Sequence, residues 1–344
     1  MRRFTKYIKA PFLGKSNCIK EIGGLKMYFV RKNLIKGLLF LIAILCLLNV
    51  GCQNPAKKPG EQEAKIKQEP TISLYHHETG KKEEIKIEKY LEGVVAAEME
   101  PGWHPEALAA QAILARTFTM KKIKEGGVKA RGTDASTDIE EFQAYDASRV
   151  NDKVKEAVKR TKGEVVTYKG EYINGWFHAD SGGKTAATSA EGLEFKKEPT
   201  PYIKSVDDPG HKITTPENKS WTATFSAAEV RQAVEKTLGK NPGNITSIAI
   251  AEKGPSGRVT GIKINNTTLS AASLRLALGS EKIRSTLLDE VKLVNDQIVF
   301  KGKGFGHGVG MSQWGAKALA EQGKKAEDIV KYFFKDVQIE KRWE

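Results

Sequence analysis

Gly302-Lys303-Gly304-Phe305-Gly306-His307-Gly308-Val309-Gly310-Met311-Ser312-Gln313-Trp314-Gly315-Ala316 is the stretch on which the reading of this chain turns. Five glycines alternate with other residues and run into a segment with helical spacing from about Ser312 to Gln322. Glycine lets a backbone enter left-handed conformations and approach a ligand closely. Two readings stand: N–H groups offered to a ligand at a helix start, or a tight structural turn. A dinucleotide fingerprint is excluded, because Gly-x-Gly-x-x-Gly fails in every frame and too little chain follows for a Rossmann unit. His307, Ser312, Gln313 and Trp314 combine polar groups with an aromatic platform, a composition suited to a sugar.

Outward from this stretch, helical and strand patterns are interspersed without regular βαβ alternation. Helical spacing covers Ile85 to Met99, stopped by Pro101-Gly102, and a long helix opens at His104-Pro105-Glu106, with proline at a tolerated first position. A third helix spans Val150 to Thr161. Glu164–Tyr168 and Glu171–Ala179 alternate as a hairpin turned by Lys169-Gly170. Trp221–Phe225, Ile245–Ala251, Val259–Ile264 and the pair within Val291–Lys301 read as strands. Ser226-Ala227-Ala228-Glu229 is a capping box. The fold class is therefore α+β: mixed helices and antiparallel strands in one catalytic region, with a smaller inserted subdomain over 217–290.

The net charge of +14 is concentrated at one end. Residues 1–52 hold ten Lys or Arg and one acid, which is +9, leaving +5 for the rest. No basic stripe with interleaved aromatics appears, so a nucleic-acid partner is not expected. All three cysteines, Cys18, Cys46 and Cys52, lie in the first 52 residues, so the body has neither disulfide nor thiolate metal ligand. Leu38–Leu48 is an eleven-residue apolar run preceded by Arg31, Lys32 and Lys36, the pattern of an export signal. It ends at Gly51-Cys52, which resembles a bacterial lipobox with Cys52 as the lipidated residue. An uncleaved anchor reaching Val50 is the alternative. Residues 1–52 thus read as signal or anchor, with Met27 an alternative start, 53–70 as a solvated linker, and 71–344 as the catalytic domain. The expected location is outside the cytoplasm, tethered to the membrane through the N-terminus.

Three further segments carry chemistry. Glu98 lies near a helix C-terminus among small apolar residues, in Val94-Val95-Ala96-Ala97-Glu98-Met99. The negative end of the helix dipole and an apolar setting both raise a carboxyl pKa, keeping a proton available for donation; an exposed helix-end Glu is the alternative. Gln111 and Arg116, on an Ala-rich helix, either point into a polar site or belong to a packed core. Phe177-His178-Ala179-Asp180-Ser181-Gly182-Gly183-Lys184-Thr185 contains the Asp-Ser-Gly-Gly string of chymotrypsin-like proteases, but no Ala-Ala-His-Cys string precedes it. A polar ligand at a strand end fits better than a serine nucleophile.

In order, Glu98-Met99, Trp103-His104-Pro105-Glu106-Ala107-Leu108, Ala110-Gln111-Ala112-x-x-Ala115-Arg116-Thr117, Gln143-Ala144-Tyr145, His178-x-x-Ser181-Gly182-Gly183-x-Thr185, Pro201-Tyr202 and the glycine-rich stretch resemble the stage II sporulation protein D family, which includes the amidase enhancers. The resemblance runs over about residues 84–341. It implies a lytic transglycosylase acting on the glycan strands of peptidoglycan, with Glu98 in the catalytic position. It places Gln143, Tyr145, His178, Ser181, Gly182, Gly183 and Thr185 at glycan-binding positions; His307, Ser312 and Gln313 join them from the reading of the glycine-rich stretch. Two departures stand out. Glu100 follows Glu98-Met99 where the family commonly has Pro. The stretch from Gly132 to Phe142 lacks the His and Cys zinc ligands of some members, so neither metal nor cofactor is expected.

One carboxyl suffices for such a reaction, because the muramic acid's own 6-hydroxyl replaces water as nucleophile, whereas ordinary glycosidases need two. A non-catalytic glycan-binding enhancer of a cell-wall amidase is the competing function. A serine hydrolase built on Ser181 is a third class. A cell-wall amidase and other sporulation membrane proteins are the implied protein partners.

Overall fold

The computed structural model describes residues 68–344. The apolar run, Cys52 and nearly all of the linker lie outside the described residues. Among the described residues no helix is long and apolar enough to cross a membrane.

The chain opens with the hairpin β1 (Thr71–Tyr75) and β2 (Lys82–Lys86) and passes directly into α1 (Ile87–Glu98). The expected helix from Ile85 thus starts two residues later, because its first turn is claimed by β2. After Pro101, α2 (Pro105–Lys124) begins; His104 caps it by accepting from the Glu106 N–H. Residues Ala107 to Ala110 and Ala112 to Ala115 are fully buried, so α2 is a core helix surrounded on all sides, not an amphipathic one. Its alanines let neighbouring helices approach closely, and each buried Leu or Ile between them contributes about 2 kcal/mol. The short β3 (Ala135–Ser136) adds to β1 in parallel.

Next come α3 (Asp152–Arg160), capped by Asn151, and the hairpin β4 (Glu164–Tyr168) with β5 (Glu171–Tyr172). The expected strand Glu171–Ala179 is broken. Gly175 presses against the Leu114 carbonyl of α2, where a Cβ would collide. The backbone leaves the hairpin there and returns as β6 (Phe177–His178) in a different sheet. The small helices α4 (Ser189–Leu193) and α5 (Pro216–Lys219) follow.

A second core is built from β7 (Trp221–Ser226), α6 (Ala227–Leu238), β8 (Ile248–Lys253), β9 (Val259–Ile264), β10 (Thr267–Ser270), α7 (Ala271–Leu278), β11 (Leu288–Val294) and β12 (Gln297–Gly302). Its strands form two antiparallel sheets, ordered β10-β9-β8 and β11-β12-β7. The capping box at α6 is complete in both directions between Ser226 and Glu229.

The glycine-rich stretch then carries the chain back into the first core. β13 (Met311–Ser312) pairs in parallel with β6, and α8 (Gln313–Glu321) and α9 (Ala326–Phe333) pack on α2. β14 (Gln338–Lys341) closes on β4. The architecture is α+β.

Candidate functional site

Glu98 is the last residue of α1, half-buried where the chain turns into Met99. Its Oε1 accepts from the Ala144 backbone N–H at 3.0 Å, and its Oε2 accepts from the Gln313 side-chain amide at 3.3 Å. Burial raises its pKa above the ordinary carboxyl value, and the two hydrogen bonds pull part of the way back. No cation among the described residues contributes to the shift. A carboxyl held this way keeps its proton longer than a solvated one.

Both partners are delivered by local structure. Gly93, in α1, leaves the space that the Tyr145 ring fills; a Cβ there would overlap that ring. Tyr145 stacks on Tyr90 with ring centroids 5.7 Å apart, and the Asp146 N–H donates to the Gly93 carbonyl at 3.0 Å. These contacts lay Gln143-Ala144-Tyr145 along α1 with the Ala144 N–H on Glu98. Gln143 itself is buried and donates to Thr119 Oγ1 at 3.0 Å. Gln313 is the first residue of α8. Ser312 caps that helix by accepting from the Gly315 N–H, and the Trp314 N–H donates to the Ala179 carbonyl at the end of β6.

Beside Gln313, the rings of Trp314 and Trp103 meet with centroids 4.8 Å apart and planes tilted 58°. The Lys317 ammonium lies 5.0 Å from the Trp314 ring and 5.6 Å from the Trp103 ring. All three side chains are partly exposed.

His178 and His307 face each other with ring centroids 5.5 Å apart. Burial holds the His178 pKa well below the usual imidazole range, and burial, with Arg275 and Arg258 nearby, pushes His307 down to about 3. Both are therefore neutral at physiological pH. His178 Nδ1 lies 3.2 Å from the Val309 carbonyl, which only accepts, so Nδ1 carries the proton. Its Nε2 is a buried lone pair with no partner in the structure. His307 Nδ1 accepts from the Val309 N–H.

The structure separates the other expected residues from Glu98's hydrogen-bonding shell. Ser181 and Thr185 are fully buried. Ser181 Oγ donates to Asp208 Oδ2 at 2.6 Å, and the nearby imidazole of His211 bonds Asp180 instead, so no serine–histidine pair exists there. Thr185 bonds the Lys204 carbonyl and the Val206 N–H. Gly182 and Gly183 form the tight turn between them. Their loop is clamped by Arg258, whose guanidinium donates to the Ser181 and Lys184 carbonyls. Gly308 lies flat on that guanidinium, where any Cβ would overlap it. The glycine-rich stretch spends several of its N–H groups internally: Gly304 on the Asn218 carbonyl, Phe305 on Asp180, Gly306 on Arg284 and Met311 on Trp176. These four N–H groups are therefore not open to a ligand, and this part of the stretch packs as a backbone seam. On α2, Arg116 is fully buried and bonded to Glu88 through Nε and Nη2, a core ion pair.

Sequence reasoning missed Ala144, because any residue can supply a backbone N–H, and it gave Trp103 and Lys317 no role. Trp103 stood within a recognised string; Lys317 had no signal beyond its spacing from Gln313.

The sequence profile described as Stage II sporulation protein matches residues 75–168, and a second, for a domain of unknown function, matches residues 205–310. Stage II sporulation protein D of Bacillus subtilis (strain 168) is 34% identical over 309 residues, covering 83% of this chain and 82% of that protein. The chain belongs to the stage II sporulation protein D family. Stage II sporulation protein D of Bacillus amyloliquefaciens is likewise 34% identical over 291 residues, covering 80% and 81% of the two chains. The amidase enhancer of Bacillus subtilis (strain 168) is 29% identical over 290 residues, which cover 71% of this chain and 39% of that longer protein. Among the described residues no group of three or more His, Cys, Asp or Glu side chains is arranged to hold a metal ion.

Proposed function

We propose that the chain is a lytic transglycosylase that cleaves peptidoglycan glycan strands, with Glu98 as its single acid and base. The observation that carries this is the setting of Glu98: recessed, free of any cation partner, raised in pKa, and held by one backbone and one amide donor. Protonated Glu98 donates to the glycosidic oxygen as the bond from C1 of muramic acid breaks. The resulting carboxylate accepts the proton of the same sugar's 6-hydroxyl as its oxygen bonds C1. The proton returns to Glu98, no water is consumed, and the product ends in 1,6-anhydromuramic acid. A two-carboxylate hydrolysis is less well supported, since the nearby acid Glu100 is two-thirds exposed and ion-paired with Arg149 at 3.0 Å. On this reading Gln143, Tyr145, His178, His307, Ser312 and Gln313 shape the groove around the reacting sugars, and Ser181, Gly182, Gly183 and Thr185 support it from behind. The chain acts outside the cell membrane, during sporulation, tethered through Cys52 or an uncleaved anchor.

Glu98→Gln keeps the shape of the side chain but has no acidic proton. It should lower cleavage by about 10²–10⁴-fold while glycan binding persists. Mass spectrometry of purified strands should find 1,6-anhydro ends with the wild type only. Reducing ends would mean that water attacks; full activity in Glu98→Gln would remove the catalytic assignment. The likeness to an amidase enhancer favours a second reading, a glycan-binding partner that stimulates a cell-wall amidase. In that case Glu98→Gln would stimulate the amidase as well as the wild type does.

A further inference from the structure

We infer that a second copy of this chain pairs with the first along the outer edge of β7, β7 against β7, about a two-fold axis through Ala223. β7 ends the sheet ordered β11-β12-β7. Just past it, the Ala227 N–H donates to the carbonyl of Asp296, which precedes β12. Backbone groups alternate sides along an antiparallel strand. Residues 221, 223 and 225 therefore bond β12, and Thr222 and Thr224 turn their N–H and C=O groups outward. Among the described residues no hydrogen bond uses those outward groups. The pairing with β12 runs the whole length of β7 without a bulge, so the edge is regular. A groove of about 460 Å³ lies along it. An edge of this kind is a template for a further strand unless something guards it. The edge strand β2 is guarded, since Lys82, Glu83, Glu84 and Lys86 are all charged and exposed. β7 carries no charged residue.

The residues of the edge identify the occupant. Trp221-Thr222-Ala223-Thr224-Phe225 reads aromatic, Thr, Ala, Thr, aromatic in both directions. Two identical strands related by a two-fold axis meet in reverse order, so a segment that reads alike both ways complements itself. Thr222 then falls opposite Thr224 of the second copy as a hydrogen-bonded pair, and the outward groups of each such pair exchange both of their bonds. Ala223 meets Ala223 between them in the non-hydrogen-bonded position, where Cα atoms approach to about 4.5 Å and a methyl side chain fits. The exposed Thr222 and Thr224 side chains become cross-strand neighbours, a favourable pairing. The walls of the groove carry Glu217 and Glu281 together with Lys282 and Arg284. Such a balanced set favours neither an acidic nor a basic partner, but across a two-fold axis its acids face the bases of an identical wall. The product is one sheet ordered β11-β12-β7-β7-β12-β11 over two chains. Its contact is small, so the dimer is weak and reversible. The membrane tether proposed above would hold copies on one surface and raise their effective concentration.

Sedimentation velocity of the full-length chain in a density-matched detergent is the test. Between roughly 1 and roughly 200 μM the chain should pass from monomer to dimer, with a dissociation constant on the order of 10⁻⁵ M, as a small interface allows. Thr222→Lys combined with Thr224→Lys sets like charges opposite each other in both pairs and should raise that constant by at least about ten-fold. Thr222→Lys combined with Thr224→Glu sets Lys opposite Glu in both pairs and should bring the dimer back to about the wild-type constant. Both positions are exposed, and circular dichroism checks that each variant is folded. A wild-type chain that stays monomeric over the whole range overturns the proposal. So does a dimer that the double-lysine variant leaves unchanged, because its interface then lies elsewhere. A Lys–Glu variant as monomeric as the double-lysine one overturns the pairing of Thr222 with Thr224 about Ala223.

Discussion

At the scale of single residues, the chemistry proposed for Glu98 comes at a cost in stability. Its pKa in the fold is raised by burial, so the folded state binds its proton more tightly than the unfolded chain does. The stability linked to that proton is fully present below the unfolded carboxyl pKa and is lost as pH rises through the higher folded value. Glu98→Gln carries no such penalty. Thermal unfolding should therefore find the mutant more stable than the wild type at pH 8, with the gap closing toward pH 4. Equal melting temperatures at both pH values would mean that Glu98 is solvated and ordinary. The same direction applies to catalysis: cleavage that needs protonated Glu98 falls as pH rises through its raised pKa. His307, pushed down to about 3, contributes no step to that profile between pH 5 and 8, and burial holds His178 well below the usual imidazole range.

At the scale of elements, the site is a junction between the end of one helix and the start of another. The C-terminus of α1 disfavours a charge on Glu98, while the first turn of α8 supplies a donor to it. The third contributor is an irregular segment, Gln143 to Asp146, held against α1 because residue 93 has no side chain. Gly93→Ala is the sharp test of this arrangement. Its helical backbone tolerates alanine, but the methyl would displace the Tyr145 ring and with it the Ala144 N–H. Overpacking of this kind costs about 1–3 kcal/mol, and misplacing the acid by about 1 Å costs roughly 10²-fold in turnover. The expected result is a folded protein with a large loss of cleavage and a smaller loss of glycan affinity. Unchanged turnover would show that the Ala144 contact is dispensable.

At the scale of the molecule, two hydrophobic cores share one seam. The second core leaves and rejoins the first between Trp221 and Gly302, and the glycine-rich stretch lies along the return. Arg258, next to the first residue of β9, crosses from the second core to the Ser181–Lys184 loop, fully buried and with its pKa pushed down to about 10 by burial. Arg258→Met should leave the Ser181 and Lys184 carbonyls without donors, destabilising the fold by about 3 kcal/mol, since each unsatisfied buried group costs about 1–3 kcal/mol. Denaturant unfolding would measure it. A change within about 0.5 kcal/mol, the range of an ordinary surface substitution, would mean that the seam does not depend on this clamp.

Much of this was legible in the order of residues. Proline, glycine and capping side chains act over a few positions, so α2, α6, α8 and the β11–β12 pair follow from local pattern, and Glu98 follows from motif and helix end together. The elements that pattern missed are held by distant partners. β3 has two residues and exists because β1 is there to pair with; β14 needs β4, well over a hundred residues away. β6 left its expected hairpin because α2 presses on Gly175, a contact that no local pattern encodes. The site divides in the same way. The acid and the string bearing Gln313 are side-chain identities, which a sequence states outright. The donor from Ala144, the burial that raises the acid's pKa, the indole–ammonium cluster and the withdrawal of Ser181 into a clamped loop arise from which backbones meet in space. Side-chain chemistry is a property of the residue, but solvation and hydrogen-bond partners are properties of the neighbourhood, and only the tertiary structure assembles that.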